Sequence, residues 1–349
     1  MNSAQRDFID WTECLLDPAS TPGEQRQAAQ EWCAWGLGEL GVDPTGGGAV
    51  PADFASNTNL PTGQAISPLG AARCVWEYRR TAVLLRAMDE AIRAALEKFP
   101  GETIHVVEAG CGPLAPLALA FALRHAPERV QFTLLDLHPH ALAGARRIAE
   151  RLGAAPSIRA YVAADATRHK FAATERPHVI VCEVLLRALT REPQVAATRQ
   201  LAPQVRPGGF FLPECIAVRA ALFNHGEYTR PRPEPFDLAA VRAAACVELG
   251  PVFQLEAANV DRLQPLGAGR LAAARVSVPP HDAARWPLRL LTRIRVFRGH
   301  TLGDFDSSLN LPKAVKYPAA WAERGGTADF FYELSSDPGL RFAGGDAGP

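Results

Sequence analysis

Val106-Val107-Glu108-Ala109-Gly110-Cys111-Gly112-Pro113 and, one helical stretch later, Phe132-Thr133-Leu134-Leu135-Asp136 decide the fold. The first run is an apolar strand ending in an acid and a Gly-x-Gly turn, followed by PLALAFALRHAP at helical spacing. The second is an apolar strand closed by Asp136 and followed by AGARRIAERLG, again helical. IRAYVAA and HVIVCE continue the series, each bounded by turn residues. Strands alternating with helices predict a parallel sheet. Glycines at a strand-to-helix turn let backbone approach a ligand, and the helix N-terminus offers free N–H groups. An acid at the tip of the second strand can accept from both ribose hydroxyls. The pyrophosphate pattern GxGxxG is absent, because Pro113 and Ala115 interrupt it. A nucleoside without phosphates fits this turn better than a dinucleotide.

Outward from this core the texture changes twice. Residues 1–100 read as a helical cap. Thr21-Pro22-Gly23-Glu24 has capping-box spacing with Pro at the first helical position. Residues 41–69, rich in Gly, Pro, Asn and Thr, read as a long irregular loop, and a helix then runs from Ser67-Pro68 to Pro100-Gly101. Residues 101–212 form the α/β core. After Pro207-Gly208-Gly209 come FFLPECIAVRAALF, GRLAAARVSV, LRLLTRIRVFRG and ADFFYEL, which read as longer antiparallel strands, with one helix at DLAAVRAAACVEL. Residues 213–349 are therefore expected to be β-rich.

Composition excludes several classes. Among 349 residues, Lys+Arg and Asp+Glu are both 37, so no nucleic-acid footprint is written into the charge. Seven scattered cysteines without a CxxC pair argue against a disulfide framework or a zinc site and fit a reducing cytoplasm. The N-terminus lacks a basic region before an apolar run, and no 18-residue apolar stretch occurs, so neither a signal peptide nor a membrane partner is expected. His138 and His140 have no further ligands at metal-binding spacing, and no metal is expected. Trp11, Trp32, Trp35 and Trp76 read as core of the cap, and Cys111 and Cys182 as small packing residues.

VVEAGCGPLAPLALA followed by FTLLDLHPHALAGARRI resembles the first two motifs of class I S-adenosylmethionine-dependent methyltransferases. The resemblance implies α/β architecture: a class I methyltransferase (Rossmann-like) core with an N-terminal helical cap and a C-terminal β-rich, barrel-like part. It implies that Glu108, Gly110 and Gly112 line the methionine and ribose end of S-adenosylmethionine, that Asp136 holds the ribose hydroxyls, and that Asp165 lies near the adenine amino group. Farther on, Cys182-Glu183 ends the fourth strand, Glu192 follows nine positions later, and then come Pro207-x-Gly209 and a strand with Pro213. This order is similar to that of arginine N-methyltransferases, with their double-Glu loop. Glu77-Tyr78-Arg79-Arg80-Thr81 is similar to that family's E-x-R-T segment, whose Arg pairs with the cofactor's carboxylate. One extra residue leaves Arg79 and Arg80 both open, with Arg80 preferred. The family's Thr-His-Trp loop is missing; HTLGDFDSSLNLP shares only its general place, and S-E-W-M-G reads Cys182-Glu183-Val184-Leu185-Leu186. The acceptor expected is therefore a small molecule such as free arginine, covered by the cap. A homodimer is left open.

The chemistry of two glutamates stands apart from the resemblance. Methyl transfer from a sulfonium is an in-line displacement, so the acceptor nitrogen needs a lone pair aimed at the methyl carbon. A guanidinium is always protonated and its charge is delocalised. Two carboxylates fix its plane, draw charge away from one nitrogen and hold that nitrogen near attack distance. The bland alternative makes Glu183 a helix cap and pairs Glu192 with Arg187 or Arg191 on a wet surface. Two functional rivals remain. CGPLAPLA is reminiscent of nicotianamine synthase-like enzymes, which transfer or cyclise the aminobutyryl arm of the same cofactor and release methylthioadenosine. A binding module without turnover is the other.

Overall fold

The computed structural model describes residues 2–44, 48, 50–233 and 235–344. Two helices open the chain, α1 (Ser3–Leu16) and α2 (Pro22–Glu39). The capping box is present: Thr21 and Glu24 each hold the other's backbone amide. Both helices turn apolar faces inward, where Phe8, Leu15, Trp32 and Leu37 are wholly buried and join the cluster that holds the α/β core. The cap is thus part of one continuous core. Trp76, expected inside, is 43% exposed.

The stretch 41–69 is more ordered than its composition suggests. Residues 45–47 and 49 lie outside the described residues, but Ala52–Ala55 is a short helix and Thr58–Leu60 pairs with Gly63–Ala65 as a hairpin. The expected continuous helix from Ser67 to Pro100 is broken. Pro68–Arg73 leads through a tight turn at Cys74–Trp76 to Glu77, whose ψ of 73° is not helical, and α3 begins at Tyr78 (Tyr78–Lys98). Apolar periodicity runs through this break, so it is invisible to pattern reading.

The core follows in strict alternation: β1 (Ile104–Ala109), α4 (Pro116–Ala122), β2 (Val130–Asp136), α5 (Pro139–Leu152), β3 (Ile158–Ala163), β4 (Val179–Cys182), α6 (Gln194–Leu201) and β5 (Phe210–Leu212). All five strands are parallel, in the order β3-β2-β1-β4-β5. β1 and β4 are buried along their whole length, as strands covered on both faces are. The fold is a Rossmann-like α/β sheet with helices before it and a β-rich region after it.

That region begins with β6 (Cys215–Phe223). The residues expected as one helix, DLAAVRAAACVEL, split: helix Leu238–Ala245 ends and β7 (Cys246–Glu256) starts at once. Pairing along all of β6 offsets the helical propensity of this short segment. β8 (Arg270–Val278), β9 (Leu288–Phe297), β10 (His300–Leu302), β11 (Gly326–Glu333) and β12 (Gly339–Gly344) complete two antiparallel sheets. Phe253 of one sheet stacks on Tyr332 of the other, with centroids 5.2 Å apart. Among the described residues no helix is long and apolar enough to cross a membrane.

Candidate active site

The order of the sheet reverses between β1 and β4, and open α/β sheets bind ligands at the carboxyl ends of strands beside such a reversal. There the chain forms a cavity of about 380 Å³, within the roughly 300–1,000 Å³ of small-molecule sites. Arg80, Glu108, Gly110, Asp136, Asp165, Glu183 and Glu192 all line it. Gly112, expected beside the ligand, does not line the cavity. Its amide donates to Asp136 Oδ2 at 2.8 Å, and a Cβ there would come within 2.9 Å of Ala71. Gly112 braces the acid and lets the cap approach closely.

The glycine turn is built around buried carboxylates. Gly110 has φ +77°, and a Cβ would meet Val184 Cγ1 at 2.5 Å, so any side chain there is strained and forces Val184 to shift. Glu108 reaches the start of α4, accepting from Leu117 N at 3.3 Å and Ala118 N at 2.7 Å. Burial pushes its carboxyl up to about 8 against the pull of those amides. Asp136 accepts from Gly112 N and from His138 N, each at 2.8 Å. Burial raises its carboxyl as well. Each oxygen keeps a second lone pair that can face the cavity. Asp165, after β3, accepts from Thr167 N at 2.8 Å.

The break at Glu77 turns the two arginines apart. Arg79 points outward and pairs with Asp306 at 3.0 Å. Arg80 is buried, lies 3.6 Å from Glu77 and donates a short hydrogen bond to Glu183 Oε2. Burial disfavours its charge, yet Glu183, then Cys74 and Glu77, outweigh that penalty and raise its pKa. Glu183 Oε1 is buried with no hydrogen-bond partner.

Between Glu183 and Glu192 the backbone is left-handed at Ala188, Leu189 and Arg191, with φ of 55°, 56° and 63°. Non-glycine residues there cost of order 1–3 kcal/mol each and persist only where surroundings enforce them. The enforcement comes from three sides. Gln194, wholly buried, accepts from Val184 N and donates to Cys182 O, both at 3.0 Å. From the C-terminal sheets, Thr292 Oγ1 accepts from Ala188 N and Tyr332 Oη donates to Leu189 O, each at 2.8 Å, while Pro338 O accepts from Arg191 N at 3.0 Å. From the cap, Gln64 N donates to Arg191 O at 2.7 Å. Glu192 is thereby buried on the cavity wall and pairs with neither Arg187 nor Arg191, so the wet-surface alternative fails. Burial, and then the neighbouring Glu183, push its carboxyl up to about 8, against the pull of Arg80. Removing one tie tests this design: Tyr332→Phe should cost about 1 kcal/mol of stability, read by denaturant unfolding.

The cavity wall carries five carboxylates against a single guanidinium. A cation entering the cavity would favour the ionised form of the carboxyls that burial raises. Several wall residues escaped sequence reading. Ser308 and Leu309 belong to it, and Ser308 N donates to Glu77 Oε1 at 3.2 Å. The hairpin adds Leu60 and Ala65. His138, weighed in the sequence only as a metal ligand, lines the cavity with Nε2 buried and without a partner. Among the described residues no group of three or more His, Cys, Asp or Glu could hold a metal ion.

No family model matches the chain, and no curated protein matches it. Among solved structures, the chain is similar to one described as the Trypanosoma brucei PRMT1 enzyme-prozyme heterotetrameric complex with AdoHcy. The identity is 13%, the match covers 78% of this chain and 92% of that one, and the TM-score is 0.47.

Proposed function

We propose that the chain is an S-adenosylmethionine-dependent N-methyltransferase acting on a guanidino or amino group of a small molecule such as free arginine. The observation that carries this reading is the cavity itself, where a nucleoside-type glycine turn and acid meet two glutamates in a wall of five carboxyl groups and one guanidinium. The residues present fit the cofactor. Gly110 lines the cavity where a side chain would crowd Val184, Asp136 has lone pairs left for ribose hydroxyls, and His138 Nε2 is buried without a partner. Arg80 would hold the methionine carboxylate, and Asp165 the adenine amino group. When bound, the cofactor supplies an electrophilic methyl on a sulfonium.

The glutamates do the rest. Glu183 and Glu192 would grip the acceptor cation, fix its plane and leave one nitrogen pointing to the methyl. The strained loop holds Glu192 in place before the acceptor arrives, so little ordering is left for the reactive complex.

Cofactor binding offers the first test. Asp136→Ala should weaken binding of the cofactor by about 1–3 kcal/mol, the range for charged hydrogen bonds. Calorimetry reads this directly, and unchanged affinity would remove the assignment.

Acceptor binding has a pH signature. With its carboxyl raised to about 8, Glu192 is largely protonated at pH 7. A cation beside it favours the ionised form. Acceptor binding at pH 7 should therefore release a proton, and affinity should rise as pH increases from 6 towards about 8. Calorimetry in buffers of different ionisation enthalpy counts that proton; no release, or tighter binding at lower pH, contradicts the role.

A further inference from the structure

The loop between the two glutamates carries a second charge feature of opposite sign. Arg187 and Arg191 follow and precede cavity-lining residues directly, Leu186 and Glu192. Lys313 lies on the short strand Lys313–Ala314, opposite Leu290 of β9, two residues from the Thr292 that binds Ala188 of the loop. The same strand follows Ser308 and Leu309 of the cavity wall. Among the described residues Arg187, Arg191 and Lys313 make no ion pair, and Arg187 Nε is buried without a hydrogen-bond partner. Burial, and then Arg187 and Arg191, push the Lys313 ammonium down, with Asp337 opposing. Asp337 is itself held by Arg341 at 3.0 Å. Elsewhere on the surface arginines find carboxylates readily, as Arg206 does with Glu102 and Arg275 with Asp329. Here like charges gather unpaired beside a strained loop, an arrangement whose repulsion an anion would relieve.

We propose that Arg187, Arg191 and Lys313, which do not line the cavity themselves, form an anion-binding site just outside its wall at Leu186 and Glu192, which takes a carboxylate carried by the acceptor. The acceptor is then a zwitterion-like compound: its cationic nitrogen enters between Glu183 and Glu192, and its anionic end stays on the basic cluster. A carboxylate can come from a free amino acid or from acidic residues flanking a peptide's target. The free amino acid is favoured because the hairpin tip seals one side of the loop, with Gly63 so close that a Cβ would lie 2.6 Å from Arg191 O. This inference rests on the guanidino or amino reading of the two glutamates.

Two ligands that share a guanidinium and differ in the carboxylate separate the claims. L-arginine and agmatine are titrated into the full chain in the presence of S-adenosylhomocysteine. L-arginine should bind about tenfold more tightly, the equivalent of about 1.4 kcal/mol. Arg187→Gln and Lys313→Gln should each shrink the ratio of the two affinities toward one; using both variants guards against one that folds poorly. Equal affinities in the unaltered chain, or a ratio that survives both substitutions, overturn the anion site while leaving the glutamate grip standing. A peptide with acidic flanks that binds more tightly than L-arginine overturns the free-carboxylate source. Binding of neither small compound overturns the guanidino reading on which the inference rests.

Discussion

Glu183→Gln and Glu192→Gln each lower kcat by about 10²–10³-fold, the scale for removing one electrostatic contact made at the reacting centre, while cofactor affinity changes far less. Gln keeps the shape and an acceptor oxygen but removes the charge, so the loss reports electrostatics rather than packing. Both residues line one cavity, and in the proposed role their fields would act on one cation. The double variant is therefore little worse than the worse single one, because groups that work as a unit are non-additive. Steady-state kinetics on the identified acceptor check this. Near-normal turnover in both single variants would remove the grip, and the arm-transfer reading would move ahead.

Arg80→Met has the second large effect, and it falls on stability as well as binding. Arg80 is 8% exposed and forms ion pairs with Glu183 and Glu77, each of which has a buried oxygen that makes no hydrogen bond. Removing the guanidinium from the cavity wall strands those carboxylates. Breaking a buried pair from one side costs about 3–5 kcal/mol, much more than the pair contributes net. Denaturant unfolding should show a loss of that size and calorimetry a loss of cofactor binding. Adding Glu183→Gln to Arg80→Met should recover part of the stability but none of the binding. Recovery of neither would mean that Arg80 matters by packing alone.

Much of this was legible in the residues, for a physical reason. The three central strands of the core, β2, β1 and β4, are buried on both faces, so they stand out as short apolar runs, and each ends at or just before a glycine or an acid. The acids at strand ends were found because the chemistry of a ribose or a guanidinium requires that residue type at that place. What stayed hidden depends on tertiary contacts. The break at Glu77 interrupts no apolar pattern, yet it turns Arg80 inward and Arg79 outward. Gly112 looks like a ligand-facing glycine, and only the approach of Ala71 shows that it serves the cap. The left-handed residues 188, 189 and 191 are ordinary Ala, Leu and Arg, held by Thr292, Tyr332 and Pro338 more than 100 positions away. No local signal marks them. The cap, too, read only as a cover over the acceptor. Phe8, Trp32 and Leu37 are instead shared with the main core, so cutting away residues 1–70 exposes that core.

One measurement addresses the central claim most directly. The full chain is incubated with S-adenosylmethionine and a panel of small guanidino and amino compounds, and the products are identified by mass spectrometry. The account predicts one acceptor gaining 14 Da per turnover, about the mass of a CH₂ group, with S-adenosylhomocysteine released in equal amount and both products lost in Glu192→Gln. Release of methylthioadenosine with a heavier adduct, or cofactor binding with no turnover on any member of the panel, would contradict it.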